Sequence, residues 1–582
     1  MLKSLSFAAL ALCLLPWSSR AQAEPATTTF YSSPRGVGGS YETYGDQKIG
    51  IPFSDMQPLY YDGSLVGVNY KGASKGSASV DIWRPKSGGA YTFVSSVEIP
   101  ELTLGDAYAP APAPIEVKAG DVLVARPITG RFASRSWGAQ MSADWSGPYD
   151  HAGTTPVWNL PRQPAIQGVL TRRVSPQELA REASYGTTPI VNECFLGGAL
   201  PATWFSDGMP GISVNNGLIL QSAQANWRNH AVYNSYSNAQ RKSFGARLTF
   251  TDANSMAGIC SSPQDGSTVP NCGCVAVLDA TAGPDQAVFK AYGWSDQGPE
   301  APKLAPITVP FPIPVVAGRS YLISAQFRSG LARYTCTDTV KQVSVSLDCQ
   351  YGTASFAGLG WGRPGVICPI GRVSCPNFFF NIDCKAGQLL SIFGDSILDK
   401  EPNIGVQYDR VASSLLIADP NIAGPVLNCS RAGADSDEAA LCLATDLLKV
   451  PPVYALYALG ANDVKRGPYT TDEAVAAQWK ANALDFARKC QSVGTIPLFQ
   501  TMTPYNGKLS INALINAIVR DKTQLPYWHA DLDVALAAEP DGVWNPGSLT
   551  YDTLHGSTYG MDLQFKTYRA AFPFLFNPPF PK

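Results

Sequence analysis

Three short segments near the end of the chain carry residue types that together perform acyl transfer. They are Gly394-Asp395-Ser396, Gly460-Ala461-Asn462-Asp463 and Asp552-Thr553-Leu554-His555. A serine hydroxyl is a weak nucleophile until a base takes its proton. An imidazole is such a base, and a carboxylate beside it fixes its tautomer. An amide N–H can donate to the oxyanion that forms. The chain has four histidines, and two of them, His529 and His555, lie beyond Ser396. His555 has Asp552 three residues upstream. Each segment also has a plainer reading. Gly-Asp-Ser and Gly-Ala-Asn-Asp are turn sequences, and Asp552 could cap a helix with His555 exposed in its first turn.

The segments take on meaning from the elements that must position them. Leu389 to Phe393 is an apolar run that ends at the serine segment, and Val453 to Leu459 is another that ends at the asparagine segment. Ligands of open α/β sheets sit at such strand ends. Between them, the short run Pro425-Val426-Leu427 leads into Asn428 to Ser436, where Gly433 is a further candidate backbone donor. Helices are expected over 436–449, over 471–490 with Thr470 and Glu473 in capping-box spacing, and near 511–520. A strand is expected at 496–500, and a last helix after His555 that stops before Pro573. Strands alternating with helices predict a parallel sheet.

The segment from about Gly387 to Lys582, a third of the chain, resembles the SGNH (GDSL-type) hydrolase superfamily. The matching residues are Ser396, Gly433, Asn462 and His555. The resemblance implies a flavodoxin-like α/β/α fold and a Ser396–His555–Asp552 triad. It also implies an oxyanion hole from the N–H groups of Ser396 and Gly433 and the Asn462 side chain. Asp395 and Asp463 would hold loops in shape. No metal or cofactor is needed for this chemistry. A competing serine lies in Gly72-Ala73-Ser74-Lys75-Gly76, which fits the nucleophile-elbow pattern. The alternating stretch Ser77 to Trp83 follows it where a helix is required, so a turn between strands is expected.

The first 23 residues read as a secretory leader: Lys3, an apolar stretch over 5–15, and Ala21-Gln22-Ala23 as cleavage site. That places the protein outside the cell or in a periplasm. The apolar stretch is too short to span a bilayer, and no later run is long enough. A net charge of −2 leaves no footprint for nucleic acid. Twelve of the 13 cysteines fall between Cys194 and Cys490. In an exported chain this suggests disulfides, with Cys336–Cys349, Cys368–Cys375, Cys429–Cys442 and a Cys194–Cys384 clasp as proximity pairs.

Two β-sandwich-like modules are expected ahead of the hydrolase-like segment of 385–582. One covers 24–172, with strands at 80–83, 91–99 and 122–125 and a stiff Ala/Pro-rich loop at 106–114. A linker over 173–191, with a short helix at 175–184, leads to the second, over 192–384. There Asn215-Asn216-Gly217 separates two apolar triplets as a hairpin turn would. This second region resembles a laminin-G or concanavalin-A-like sandwich in its ends and in Ala317-Gly318-Arg319-Ser320-Tyr321. The resemblance implies glycan binding, with Trp204, Trp227, Trp294 and Trp361 as candidate contacts or as core packing. The sequence thus points to an exported serine esterase that deacylates a glycan, most simply by removing O-acetyl groups. A lipase or thioesterase, an O-acetyltransferase, and a glycan-binding protein with a decayed hydrolase domain are the alternatives.

Overall fold

The computed structural model describes residues 27–29, 41–43, 63–85, 91–102, 105–118, 121–127, 131–136, 162–164, 166–172, 183–206, 211–223, 225–262, 274–293, 306–328, 331–350, 362–399, 413, 416–417, 419, 421–431, 433–465, 467–505, 507–545, 554–556 and 558–577. The expected leader, Asp552, Trp294, Trp361 and all of the expected linker helix but Ala183 and Ser184 lie outside the described residues.

Near the N-terminus, β1 (Gly63–Ser74), β2 (Gly76–Pro85), β3 (Tyr91–Leu102), β4 (Gly105–Val117) and β5 (Val122–Pro127) form parts of two sheets. β2 pairs antiparallel with β3 and β5, and β1 with β4. Leu65, Val68, Val80, Ile82, Val97 and Ile99 pack between them as one apolar cluster. The Ala/Pro-rich segment is a strand and not the expected loop. Its prolines lack N–H groups, which an edge strand tolerates. Among the described residues β4 pairs with β1 alone. The register jumps there from Gly67↔Pro110 to Leu65↔Ile115, so Pro112 and Pro114 fall in the bulge. Ser74 ends β1 and β2 begins two residues later, so no helix follows the competing serine.

The middle region is organised by one long strand. β6 (Thr188–Glu193), β7 (Ile212–Val214), β8 (Leu218–Ser222), β9 (Arg241–Phe250), β10 (Met256–Ser262), β11 (Cys274–Asp279), β12 (Ser320–Arg328), β13 (Leu331–Asp338) and β14 (Ser344–Gln350) all precede β15 (Arg363–Ile382). The first part of β15 pairs with β10, and the second with β8, β9 and β6. It changes sheet near Gly371, whose φ is +89° and whose Cβ would lie 2.1 Å from the Ser255 hydroxyl. A strand that bends from one sheet into another makes a corner of a sandwich. Phe244, Ala246, Leu248 and Phe250 alternate inward from β9 and share a core with Ile259, Leu278, Tyr321 and Ile323. β7 and β8 form the hairpin at Asn216 and Gly217, both with positive φ.

The registers overturn the expected cysteine pairs. Cys194, Cys336, Cys368, Cys375, Cys442 and Cys490 are thiols. Cys368 and Cys375 lie on the same strand, β15, on either side of its bend at Gly371, and are buried thiols not joined to each other. Cys336 faces Val345, while Cys349 faces Ala332, four residues along β13. Cys429 and Cys442 are both buried without being joined. Cys194 follows the Glu193↔Phe378 pair, whereas the Cys384 carbonyl accepts from Thr188 at the other end of β6. Antiparallel pairing of β6 with β15, and not a sulfur clasp, ties the ends of the region. Two of the proposed glycan contacts are also packing residues. Trp204 sits edge-on to Phe195 and Phe378 at 4.8 and 4.9 Å, and Trp227 edge-on to Tyr292 at 5.2 Å, all but Tyr292 buried.

The last third contains a five-stranded parallel sheet. Its strands are β16 (Leu390–Gly394), β17 (Val426–Asn428), β18 (Tyr454–Ala458), β19 (Ile496–Gln500) and β20 (Trp528–Ala530), in spatial order β17-β16-β18-β19-β20. The helices are α1 (Ser436–Asp446), α2 (Asp472–Ser492), α3 (Leu509–Arg520), α4 (Leu532–Leu536) and α5 (Thr558–Ala571). Phe393, Tyr457 and Phe499 pack on one face with residues of α1, α2 and α3. Ile392, Leu456 and Leu498 pack on the other with residues of α4 and α5. This alternation is what buried strands of period two require. The N-cap of α2 is Thr471, which accepts from Ala474 N–H, in place of the expected Thr470.

This sheet and the middle β region share one core. Tyr185 donates its hydroxyl to the Val426 carbonyl at 3.0 Å. Asp446 at the end of α1 is buried and accepts from Ser237 Oγ at 2.6 Å, Asn238 N–H at 2.7 Å and Ala239 N–H at 3.1 Å. Burial raises its pKa to about 6 against these donors and the Lys242 cation.

Candidate active site

Three adjacent parallel strands end side by side, with Gly394 facing Ala458 and Ile392 facing Asn428. The loop after each carries one of the expected residues: Ser396 after β16, Gly433 after β17 and Asn462 after β18. Gly394 is dictated by space. A Cβ there would lie 2.9 Å from Ser430 Oγ and 3.3 Å from the Ala458 carbonyl. Gly460 has φ +141°, and its Cβ would meet Met502 Sδ at 2.2 Å.

Hydrogen bonds lock the loops together. Arg431 N–H donates to the Gly394 carbonyl at 3.0 Å, and Asn428 Nδ2 to the Leu398 carbonyl at 2.7 Å. Asn462 Nδ2 donates to the Ala434 carbonyl at 3.0 Å, beside Gly433. An amide nitrogen carries two hydrogens, so this bond orients the group and leaves one N–H for another acceptor. Asp463 accepts from Ser436 N–H at 3.2 Å and Oγ at 2.5 Å, and Asp395 from Ile397 N–H at 3.0 Å. Both aspartates thus shape loops. Lys508, which the sequence did not single out, donates Nζ to the Ala461 carbonyl at 2.6 Å and the Asp463 carbonyl at 3.0 Å. It brackets Asn462 from both sides, although it comes from the N-cap of α3. No local pattern marks such a residue.

Ser396 Oγ and His555 Nε2 are 2.8 Å apart, and both residues are half-buried. With Nδ1 protonated, Nε2 accepts the hydroxyl proton, which is the geometry of a nucleophile and its base. Asp552, the expected third member, lies outside the described residues. His529 sits on β20, three strands from β16, or ~14 Å at about 4.8 Å per step. Its Nδ1 is 2.6 Å from Lys522 Nζ, and burial with that cation lowers its pKa. The described residues contain no cluster of three or more metal-ligating side chains. No helix among them is long and apolar enough to cross a membrane.

The sequence resemblance gives Asn462 as an oxyanion donor, and Asn462→Ala tests that role. Loss of such a donor costs on the order of 10²–10³ in kcat. We expect that loss on a soluble ester with a melting temperature close to the parent's, and steady-state kinetics beside a thermal melt check it.

Asp395, buried next to Ser396, has its pKa raised to about 7, chiefly by burial, against the Ile397 N–H and the nearby His555. Asp463 is raised to about 6, again chiefly by burial. A carboxyl raised in the folded state stabilises it fully below its unfolded pKa, and that stability is lost as pH rises through the folded value. His529, with a lowered pKa, works in the opposite sense. The folded state should therefore melt lower at about pH 8 than at about pH 5, and Asp395→Asn should flatten this slope. Parallel melts of parent and variant at the two pH values test it, and an unchanged slope refutes the burial argument.

No family model matches the chain, and no curated protein does. Among solved structures, it is similar to a GDSL-like lipase from Bacteroides thetaiotaomicron at 14% identity, covering 32% of this chain and 87% of the lipase, with a TM-score of 0.26. It is similar to a catalytic mutant of an acetylxylan esterase from Geobacillus stearothermophilus at 14% identity, covering 32% and 94%, with a TM-score of 0.27. It is also similar to the CBM2 module of the evolved Dit of Lactobacillus casei BL23 phage J-1 at 10% identity, covering 34% and 97%, with a TM-score of 0.25. At these identities and scores the likenesses carry no argument about activity.

Proposed function

We propose that the chain is a serine esterase of the SGNH type, with a flavodoxin-like α/β/α hydrolase domain over 385–582. The observation that carries this reading is the 2.8 Å contact of Ser396 Oγ with His555 Nε2 at the C-terminal edge of the parallel sheet. Ser396 Oγ attacks the acyl carbon as Nε2 takes its proton. The tetrahedral oxyanion accepts from the N–H groups of Ser396 and Gly433 and from Asn462 Nδ2. Collapse breaks the ester C–O bond, and the imidazolium returns its proton to the leaving alkoxide. Water, deprotonated by His555, then attacks the acyl-enzyme and releases the carboxylate and Ser396. Asp552 orients the imidazole.

The substrate in this reading is an acylated glycan and the group removed an O-acetyl. It rests on architecture: two β regions accompany a small hydrolase, as a polymer that must be gripped would require. The region of 192–384 is the gripping module in laminin-G or concanavalin-A style. Its contacts are residues other than the buried Trp204 and Trp227. The leader of 1–23 sends the protein out of the cytoplasm.

The test is a panel of p-nitrophenyl esters of increasing chain length beside acetylated polysaccharides, with acetate release measured. Turnover confined to short acyl chains and acetylated polymer supports the reading. Preference for long chains turns it to a lipase or thioesterase. Failure on every ester, with no labelling of Ser396 by a phosphonate, overturns it.

A further inference from the structure

The esterase reading assigns catalysis to the last third of the chain, yet the loops that carry it are held by a residue of the middle β region. Gln240 precedes β9, more than 150 residues from Ser396 in sequence. Its backbone N–H donates to the Asn428 carbonyl at 2.8 Å, at the end of β17. Its side-chain Nε2 donates both to the Asp399 carbonyl and, at 3.2 Å, to the Ser430 carbonyl. Asp399 closes the turn that starts at Ser396, and Ser430 opens the loop that leads to Gly433. One amide therefore joins the nucleophile's turn to the oxyanion loop.

The segment that presents Gln240 is itself fixed from both sides. Ser237, Asn238 and Ala239 give three donors to the buried carboxylate of Asp446. Lys242 Nζ donates to the Ser237 carbonyl at 2.7 Å. Ser235 Oγ and Thr445 Oγ1 make a further contact. A satisfied buried network of this kind has one low-energy arrangement, so it transmits a fixed position to Gln240.

We infer that Gln240 is a positioning residue for the esterase reaction, and that the middle β region is part of the active-site scaffold as well as a binding module. This inference rests on the esterase reading above. Loss of the amide removes the donor that the Asp399 and Ser430 carbonyls share; the bonds from Arg431 N–H to Gly394 and from Asn428 Nδ2 to Leu398 keep the loops together but leave their far ends free to shift. A small misplacement of a donor around a tetrahedral intermediate is expensive in rate.

The test uses the full chain and a small soluble ester, p-nitrophenyl acetate, so that polymer binding plays no part. Gln240→Met keeps the length and removes both donations. It should lower kcat/KM, and the second-order rate of inactivation by a p-nitrophenyl phosphonate, on the order of tenfold. The effect should shrink in an Asn462→Ala background, because both changes then damage one oxyanion hole. A purely structural role gives additive losses. Gln240→Glu supplies the second measurement, and it stands if the Met variant fails to fold. Its protonated carboxyl can donate to a carbonyl and its ionised form cannot. The ratio of its activity to the parent's should therefore rise as pH falls. A parent-like rate in Gln240→Met, additive losses, or a flat ratio overturns the positioning role alone. An active Ser396→Ala protein overturns the esterase reading and the positioning role with it.

Discussion

Ser396→Ala should remove ester turnover by about 10⁵-fold or more while the protein melts within a few degrees of the parent. Deleting the hydroxyl removes the attacking atom, and no neighbouring group can form the acyl-enzyme in its place. In serine hydrolases that lose their nucleophile, the oxyanion donors and substrate binding still give about 10³–10⁴ over water. The residual rate should therefore be small but measurable. The fold should hold because the Ser396 side chain is not core. It is half-buried, and its hydroxyl meets the imidazole of His555. The turn is held by neighbours instead, through Asp395 with Ile397 N–H and Arg431 N–H with Gly394. Ser74→Ala, at the end of β1, should stay within about twofold of the parent, because β2 begins two residues later and the helix that a nucleophile elbow needs does not follow. Initial rates on p-nitrophenyl acetate with a thermal melt decide it. An active Ser396 variant beside a dead Ser74 variant would place the chemistry at the wrong end of the chain.

The parts of this site that are legible in sequence are those fixed by local chemistry. Apolar runs that end in Gly394-Asp395-Ser396 and Gly460-Ala461-Asn462 place both segments at strand ends, and parallel pairing of β16 with β18 does the rest. The helices over 436–446 and 472–492 show the same local clarity, with Asp435 and Thr471 as caps. The spacing rule favoured Thr470 because Glu473 lies three residues on, but the chain caps one residue later. What sequence does not carry is long-range pairing. β15 runs for twenty residues, yet Pro364, Pro369, Gly371 and Pro376 read as breaks. Pro369, Gly371 and Pro376 sit where the strand changes partners, and Pro364 lies in the pairing with β10 near its start. The Ala/Pro-rich strand β4 was hidden because proline is disfavoured in strands except at an edge, and edges are a property of the assembled sheet. Cysteine pairing failed for a related reason. Closeness in sequence places Cys368 and Cys375 on one strand, on either side of its bend, without joining them.

Lys508 and Gln240 are the sharper cases. Each acts on backbone carbonyls of a loop that sequence does not bring near it. A main-chain acceptor leaves no trace in residue type, so only the fold reveals the pairing. The boundary near residue 385 is illegible in the same way. The change from an all-β pattern to strands alternating with helices suggests separate domains there, while Asp446, Tyr185 and the shared core bind the two sides together.

His555→Ala should cost nearly as much as the loss of Ser396, on the order of 10⁵-fold, because nucleophile and base act as one unit. Without Nε2 at 2.8 Å the hydroxyl keeps its proton, and the leaving alkoxide has no donor. Asp552→Asn should cost less, about 10²–10⁴, since an amide in place of a carboxylate can hold the ring in the wrong tautomer. His529→Ala should leave turnover within a few-fold, because its strand lies three steps from β16 and its ring faces Lys522. It loses that contact, so any effect should appear as a small shift in melting and not in rate. One activated ester, measured with all three variants, separates these expectations. Near-parent activity in His555→Ala together with a dead His529→Ala would move the base to β20 and break the link between Ser396 and the loop before α5.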